Sequence, residues 1–328
     1  MTGSYGMPIS LVQQTQPISL LQQNLIELGV TLVGAFAVSA GALLYFRRVR
    51  MERPPVGTFN GRDIAILLGF IIALPFLYVA LPGWALTCFL VLTFASALSI
   101  GYRPLVGSTR TWIGIGLLVG VNIWTSRTML GTVAGWQLWW AELSVLVALG
   151  AIAVANLYVQ GGMQLRYVAW FALALAAYDV VFTAVIPLTN KLIEELLGTP
   201  LDPSLGMRFG IDNFSVGIGD LLVYAMFAVA AYKAYGRPGA RLAFGLIAVF
   251  GACVPNLAPL LINFVDARGD AIVPAQAFFG PPAFLCYLWL RHRYGRERTM
   301  AEYWASTGTA PVMATTTQPA AAPEPQSV

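Results

Sequence analysis

The chain of 328 residues has a formal net charge of +4; 58% of its residues are hydrophobic and only 10% are charged. Soluble domains carry about 25% charged residues, so this composition excludes a soluble globular protein. Apolar runs of about 17–25 residues, each long enough to cross a bilayer, recur along the sequence. A polytopic membrane protein is predicted, with helical spans because the runs are continuous rather than alternating.

The segment 1–24 is polar and glutamine-rich, has no Lys or Arg, and lacks the basic start of a cleaved signal peptide. Nine spans are predicted after it. The second and third meet at a Pro-Gly break in "LPGW" (81–84), and the fourth is short and glycine-rich. The spans are 25–46, 64–82, 84–100, 111–124, 137–158, 167–188, 214–233, 242–265 and 273–291.

The connections and tail complete the predicted organisation. The longest connection, 189–213, contains "KLIEELLG", which is typical of a short amphipathic helix at the membrane surface. The stretch after about residue 305 is rich in Pro, Ala and Thr and is predicted to be disordered. We therefore divide the chain into a polar segment (1–24), spans one to five (25–164), spans six to nine (165–291) and a tail that is first basic and then disordered (292–328).

Lys and Arg are distributed unequally between the two sides of the predicted membrane. Fifteen of the 19 lie in connections on one side, and four, Arg127, Lys191, Arg208 and Arg268, lie on the other. Because basic connections stay in the cytoplasm, we expect a cell-membrane protein with its N-terminus outside and its C-terminus in the cytoplasm. Termini on opposite sides of the membrane require an odd number of spans.

Metal-binding patterns are absent from the sequence. The three cysteines have no C-x-x-C spacing, and the single histidine, His292, lies between two arginines at a helix end. We expect neither a metal nor another cofactor, and no nucleic-acid partner.

Two aspartates lie well inside predicted spans. Asp179 is in the middle of the sixth, within "AAYDVVF", and Asp220 is in the seventh, within "SVGIGDLLVYAMF". Glu27 and Glu142 lie near span ends, from which they can reach the interface. An acid inside the membrane is by default a candidate functional residue. The alternative is a structural acid, held neutral and hydrogen-bonded between helices.

The predicted depths favour a pair. Asp179 precedes the outer end of its span by 9 residues, and Asp220 follows the outer start of the next span by 6. At about 1.5 Å per residue they lie roughly 13 and 9 Å below the same face, so adjacent antiparallel helices can bring them together.

Two close carboxylates in a medium of low dielectric constant share one proton. The ionised member can then take a proton from water while the other donates to a carbonyl oxygen, which hydrolyses a peptide without a metal or a covalent intermediate.

Glycines and prolines surround these acids. Gly217 and Gly219 precede Asp220 as G-x-G-D, which permits close backbone approach or, alternatively, tight helix packing. The ninth span opens with "PAQAFFGPPAF", and its prolines predict partial unwinding over 274–282. We expect residues 274–280 to line the active site, with Gln276 pointing toward the substrate path. An ordinary kinked packing helix is the alternative.

Together these residues resemble the GxGD aspartyl intramembrane proteases, which include presenilin, signal peptide peptidase and their prokaryotic homologues. That family has Y-D in the sixth span, G-x-G-D in the seventh and P-A-L at the start of the ninth. Tyr178-Asp179 and the motif Gly217-Ile218-Gly219-Asp220 match, as do Pro274 and Ala275, but Gln276 replaces the leucine. The resemblance covers roughly 165–291.

The resemblance implies a presenilin-like fold of about nine membrane helices, with Asp179 and Asp220 as the catalytic pair. It further implies that Tyr178, the G-x-G stretch Gly217, Ile218 and Gly219, and the motif Pro274, Ala275 and Gln276 shape the active site and hold substrate. The expected partners are the lipid bilayer and the transmembrane segments of membrane proteins or signal peptides. The inferred orientation is similar to that of signal peptide peptidase. The chain lacks the long hydrophilic connection at which presenilin cleaves itself, so one uncleaved chain is expected.

Two other interpretations remain open. A proton-coupled transporter or channel could use an acid pair, but it would predict repeated halves with discontinuous helices, and no repeat is present. A catalytically weak or inactive homologue that binds membrane proteins is consistent with Gln276.

Overall fold

The computed structural model describes residues 20–51, 59, 61–186, 192, 196–202, 206–208, 215–258 and 274–307. Over these residues the chain is all-α, apart from a two-stranded antiparallel ribbon. The ten described helices are α1 (Leu20–Arg48), α2 (Gly61–Ala80), α3 (Gly83–Val106), α4 (Ser108–Thr128), α5 (Val133–Gln160), α6 (Leu165–Val180), α7 (Ile218–Tyr235), α8 (Arg237–Leu246), α9 (Ala275–Tyr294) and α10 (Met300–Ser306). The strands are β1 (Met207–Arg208) and β2 (Ser215–Val216). Two π-helical segments, Val181–Val185 and Ile247–Cys253, continue α6 and α8.

Seven of the described helices are long and apolar enough to cross a membrane, which supports an integral membrane protein. They are α1, α2, α3, α5, α6, α7 and the continuous helix that starts with α8 and runs to Ala258. The helices at the fourth and ninth predicted spans, α4 and α9, have 21 and 20 residues but are not among the seven. Polar and basic residues at both ends of α4 and at the end of α9 lower their hydropathy. The described residues therefore contain seven candidate spans, and nine remains a prediction.

Several predicted boundaries shift. The break at "LPGW" is confirmed, since α2 ends at Ala80 and Pro82 caps the start of α3. The first helix starts at Leu20 rather than at 25, and α4 extends beyond the predicted 111–124 at both ends. The predicted surface helix in "KLIEELLG" falls largely outside the described residues, as do segment 1–19 and the tail after residue 307.

Helix α7 lies at the centre of the bundle. All of its residues from Val223 to Ala231 are buried, and it contacts α1, α5, α6, α8 and α9. The outer helices instead expose large apolar side chains, which suits a surface that meets lipid. Examples are Phe70, Trp84, Leu92, Ile113 and Leu117. The seventh predicted span is therefore buried by protein on nearly all sides.

Helix α9 packs very closely on α6. A Cβ atom at Gly280 would lie 2.6 Å from the carbonyl oxygen of Ala172 and 2.7 Å from the Cβ of Ala176. The predicted unwinding of 274–282 is wrong, because α9 is helical from Ala275 onward with both Pro281 and Pro282 inside it. Packing against α6 holds the helical geometry despite the two missing amide donors, as neighbouring helices do for prolines in membrane helices.

Candidate functional site

The end of α6 positions Asp179. This residue lies one position before the helix ends at Val180, where the π-helical segment begins. Thr183 donates a hydrogen bond from Oγ1 to Asp179 Oδ1 at 3.2 Å. The ring of the neighbouring Tyr178 lies 4.5 Å from that of Phe182. Asp179 is partly buried and oriented from its own helix, and π-helical turns of this kind are frequent at functional sites.

The start of α7 positions Asp220. Strand β2 ends at Val216, Gly217 caps the helix, and Asp220 occupies the first turn, where the free amides and the helix dipole favour an anion. The carboxylate folds back toward Gly217, so that a Cβ at this glycine would lie 2.9 Å from Asp220 Oδ2. Gly219 is exposed and a Cβ there would meet nothing within 4 Å, while Ile218 packs against the core.

The start of α9 joins the two acids. Pro274 caps the helix, Ala275 is its first residue, and Gln276 follows in the first turn, where a main-chain amide has no partner within the helix. The N–H of Gln276 donates to Asp179 Oδ2 at 3.0 Å, and its side-chain Nε2 donates to Asp220 Oδ1 at 2.7 Å. One residue of α9 thus holds one carboxylate from α6 and one from α7.

Gln276 also leaves an acceptor unused. Its side chain is only 4% exposed, and its Oε1 has no hydrogen-bond partner among the described residues. An unpaired buried carbonyl is costly, by about 1–3 kcal/mol. The site therefore combines two carboxylates with a free acceptor beside them, which is suited to receiving a polar group such as a peptide N–H.

The structure brings some of the predicted residues together and places others around them. Asp179, Asp220 and Gln276 are joined by hydrogen bonds, and Gly217 contacts Asp220. The remaining predicted residues, Tyr178, Ile218, Gly219, Pro274 and Ala275, lie next to these in the chain and shape the helix ends. Of the other acids, Glu142 accepts a hydrogen bond from Thr125 of α4, outside this site.

Sequence reasoning missed two residues at the site. Thr183 bonds Asp179, and its spacing of four residues, which places it on the same helix face, could have indicated this. Tyr224 is four residues after Asp220; its hydroxyl donates to the carbonyl oxygen of Gly251, and its ring packs on Phe279 of α9. No sequence signal pointed to the partners of Tyr224.

Comparison with protein-family models and with curated proteins gives no match for this chain. Any functional assignment therefore depends on the motif residues and on the geometry that they adopt.

Proposed function

We propose that this chain is a presenilin-like intramembrane aspartyl endopeptidase of the GxGD type, with Asp179 and Asp220 as its catalytic pair. The observation that carries the proposal is that Gln276 bonds both carboxylates, at 3.0 and 2.7 Å. This arrangement unites the three motifs of the resemblance at one point between α6, α7 and α9. A pair of structural acids would not require the G-x-G-D and Pro-Ala motifs to meet there.

The reaction follows from two carboxyl groups that share one proton. The ionised carboxylate takes a proton from water as the water oxygen bonds to the peptide carbon, and the other carboxyl group protonates the carbonyl oxygen. The tetrahedral intermediate then collapses, the C–N bond breaks, and the leaving nitrogen takes a proton from the pair. Thr183 and Gln276 serve to keep both carboxylates oriented during these steps.

The proposed substrate is a transmembrane segment of a membrane protein or a signal peptide. Its scissile bond must be extended, because a helical carbonyl is already hydrogen-bonded and shielded. Strand β2 ends just before Gly217 and, over the described residues, pairs only with β1. We propose that an extended substrate pairs with the main chain beside β2 and so passes next to Asp220. This replaces pairing with an unwound 274–280 segment, which the helical α9 does not offer.

One feature favours a second candidate, a membrane-protein binder with little or no activity. The Gln276 amide donates directly to Asp220 at a position where the resemblance expects leucine. A carboxylate occupied by a fixed donor is less free to exchange protons with water. Binding of transmembrane segments without cleavage is what this candidate predicts.

The test is cleavage of a model transmembrane substrate by the purified full-length chain in lipid vesicles, beside Asp179→Asn. Mass spectrometry of the fragments is expected to place the cut inside the apolar segment for the wild type alone. Equal cleavage by both proteins would contradict the proposal. Substrate binding without cleavage by the wild type would favour the binder.

A further inference from the structure

The segment that follows α9 contacts the far end of α6. Glu297 accepts hydrogen bonds at its carboxylate from the main-chain N–H of Leu165, at 2.6 Å, and of Arg166, at 3.4 Å. These are the first two residues of α6, whose amides have no partner within the helix. A carboxylate at a helix N-terminus is also favoured by the helix dipole. Glu297 therefore caps the helix that carries Asp179.

The next residue contacts the far end of α7. Arg298 donates from Nε to the carbonyl oxygen of Ala234, at 3.1 Å, and from Nη2 to that of Tyr232, at 3.3 Å. Its main-chain N–H also donates to the Ala234 oxygen, at 3.4 Å. These carbonyls lie in the last turn of α7, where a cation is favoured. Arg298 therefore caps the helix that carries Asp220.

A third contact joins these two helix ends directly. Lys233, in the last turn of α7, is fully buried and donates from Nζ to the carbonyl oxygen of Met163 at 2.5 Å. Met163 lies two residues before α6. The start of α6 and the end of α7 are thus hydrogen-bonded to each other, and both are hydrogen-bonded to the Glu297–Arg298 dipeptide.

The dipeptide is itself anchored on both sides. Helix α9 precedes it, and α10 follows with a capping box between Thr299 and Glu302. Tyr303 of α10 is buried, with its ring 5.0 Å from that of Phe46 in α1 and 6.1 Å from that of Tyr232 in α7. The dipeptide can therefore act as a fixed point for the two helices.

The two helices have matched lengths from this fixed point to the acids. Asp179 lies 14 residues after Leu165, and Asp220 lies 14 residues before Ala234. Each acid is therefore about 21 Å along its helix from the capped end. If either helix slides along its axis at the capped end, its carboxylate moves by the same distance relative to the carboxylate of the other helix.

We infer that Glu297 and Arg298 are positioning residues, a clamp that sets the axial register of α6 against α7 and so aligns Asp179 with Asp220. The clamp acts at the opposite end of these helices from Gln276. Its consequence for activity rests on the proposed function, but its consequence for geometry does not.

The test measures register by cross-linking in the full-length chain, with Cys88, Cys253 and Cys286 each replaced by Ala. One cysteine replaces Asp220, and the other replaces either Asp179 or Thr183, one turn further along in the π-helical segment that continues α6. A short bifunctional thiol reagent joins each pair. The ratio of the two cross-linking rates reports the register of α6, whereas general destabilisation lowers both rates alike.

In the Glu297→Ala, Arg298→Ala double variant we expect the 179/220 to 183/220 ratio to change by about tenfold. Glu297→Gln keeps the size of the side chain and is expected to change the ratio less than the double variant does. Arg298→Lys keeps the charge and is expected to give a ratio close to that of the wild type. Arg296→Ala is the matched control, because this neighbour has a side chain 77% exposed and, among the described residues, its ion pair is with Glu302 at the surface.

An unchanged ratio in the double variant, or an equal change in Arg296→Ala, would overturn the clamp. If the double variant does not fold, an unchanged ratio in Glu297→Gln would overturn it instead. The 179/220 chain lacks both aspartates and the 183/220 chain lacks Asp220, so these measurements hold even if the wild type cleaves nothing. In chains that keep both aspartates and cleave substrate, loss of the clamp is expected to lower kcat more than it raises KM.

Discussion

Gln276 is the residue on which the geometry of the candidate site depends most. Its two bonds differ in origin, because the bond to Asp179 uses the main chain and the bond to Asp220 uses the side chain. Substitution can therefore remove the second bond and keep the first. The two nearest replacements in size, Leu and Glu, separate its possible roles.

We expect Gln276→Leu to keep its activity within about tenfold of wild type, since the main-chain bond to Asp179 remains and leucine is the residue of the resembled family. Gln276→Glu is expected to lose more than about tenfold, because it places a third acid against Asp220 where a donor stood. Measurement of kcat for each variant over a range of pH checks both expectations. Equal loss in both variants would contradict this expectation, because both remove the Nε2 donor to Asp220, and would assign the loss to that missing bond rather than to a third acid.

The two glycines before Asp220 give a second prediction at this scale. In Gly217→Ala the new Cβ would lie 2.9 Å from Asp220 Oδ2 and displace the carboxylate. Displacing a reacting group by about 1 Å can cost about 100-fold in rate, which we expect here in kcat. Gly219→Ala is the matched control, because its Cβ meets no protein atom within 4 Å. A kcat equally low in the control would contradict this explanation.

The sequence predicted those single residues whose chemistry is unusual for their position. Asp179 and Asp220 stand out because acids are rare within apolar runs, and Gln276 stands out because it breaks a motif. A hydroxyl on a membrane helix is common, so neither Thr183 nor Tyr224 stands out. The partner of Thr183 is local, four residues away, whereas the partner of Tyr224 is decided by helix packing. The bond between Gln276 Nε2 and Asp220 depends on how α9 meets α7, which no local pattern specifies.

At the scale of elements, helix packing overrides local preference. The prolines of α9 predicted unwinding, yet the helix persists because it lies against α6 across Gly280. Helix starts and ends were predicted well where Pro or Gly interrupts the chain, as between α2 and α3. They were predicted less well where a polar turn continues a helix, as at both ends of α4.

The contact across Gly280 gives a stability prediction. Gly280→Ala would push a Cβ to 2.6 Å from the main chain of α6, and overpacking of this kind costs about 1–3 kcal/mol. Gly245→Ala is the matched control in α8, where a Cβ meets nothing within 4 Å and the gain in helix propensity is about 1 kcal/mol. Thermal unfolding in detergent should rank Gly245→Ala at or above wild type and Gly280→Ala below it. The reverse order would mean that α9 and α6 do not pack this closely.

At the scale of the whole molecule, composition was sufficient to predict a helical membrane protein, but not the number of spans. Seven described helices meet the requirement of length and hydropathy, while α4, polar at both ends, and α9, polar at its C-terminal end, are not among them. Whether they cross the membrane depends on burial of their polar ends by other helices and by the interface.

Orientation is a prediction for the whole molecule. In the predicted nine-span topology, fifteen of the 19 basic residues lie on the side of the C-terminal tail, so a reporter fused to the C-terminus is expected to be active only in the cytoplasm. A reporter inserted at Gly131, between α4 and α5, is expected to be active only outside the cell. An even number of spans between these two sites would place both reporters on the same side and contradict the nine-span topology.

The most direct measurement of the central claim is the cleavage rate of one transmembrane substrate by wild type, Asp179→Asn, Asp220→Asn and the double variant. Glu142→Gln serves as a control for loss of a partly buried acid outside the site. The proposal predicts a loss of about 10²–10⁴-fold in each single variant, no further loss in the double variant, and a rate near wild type for the control. Substantial cleavage by either single variant would contradict the claim that the two aspartates act as one catalytic pair.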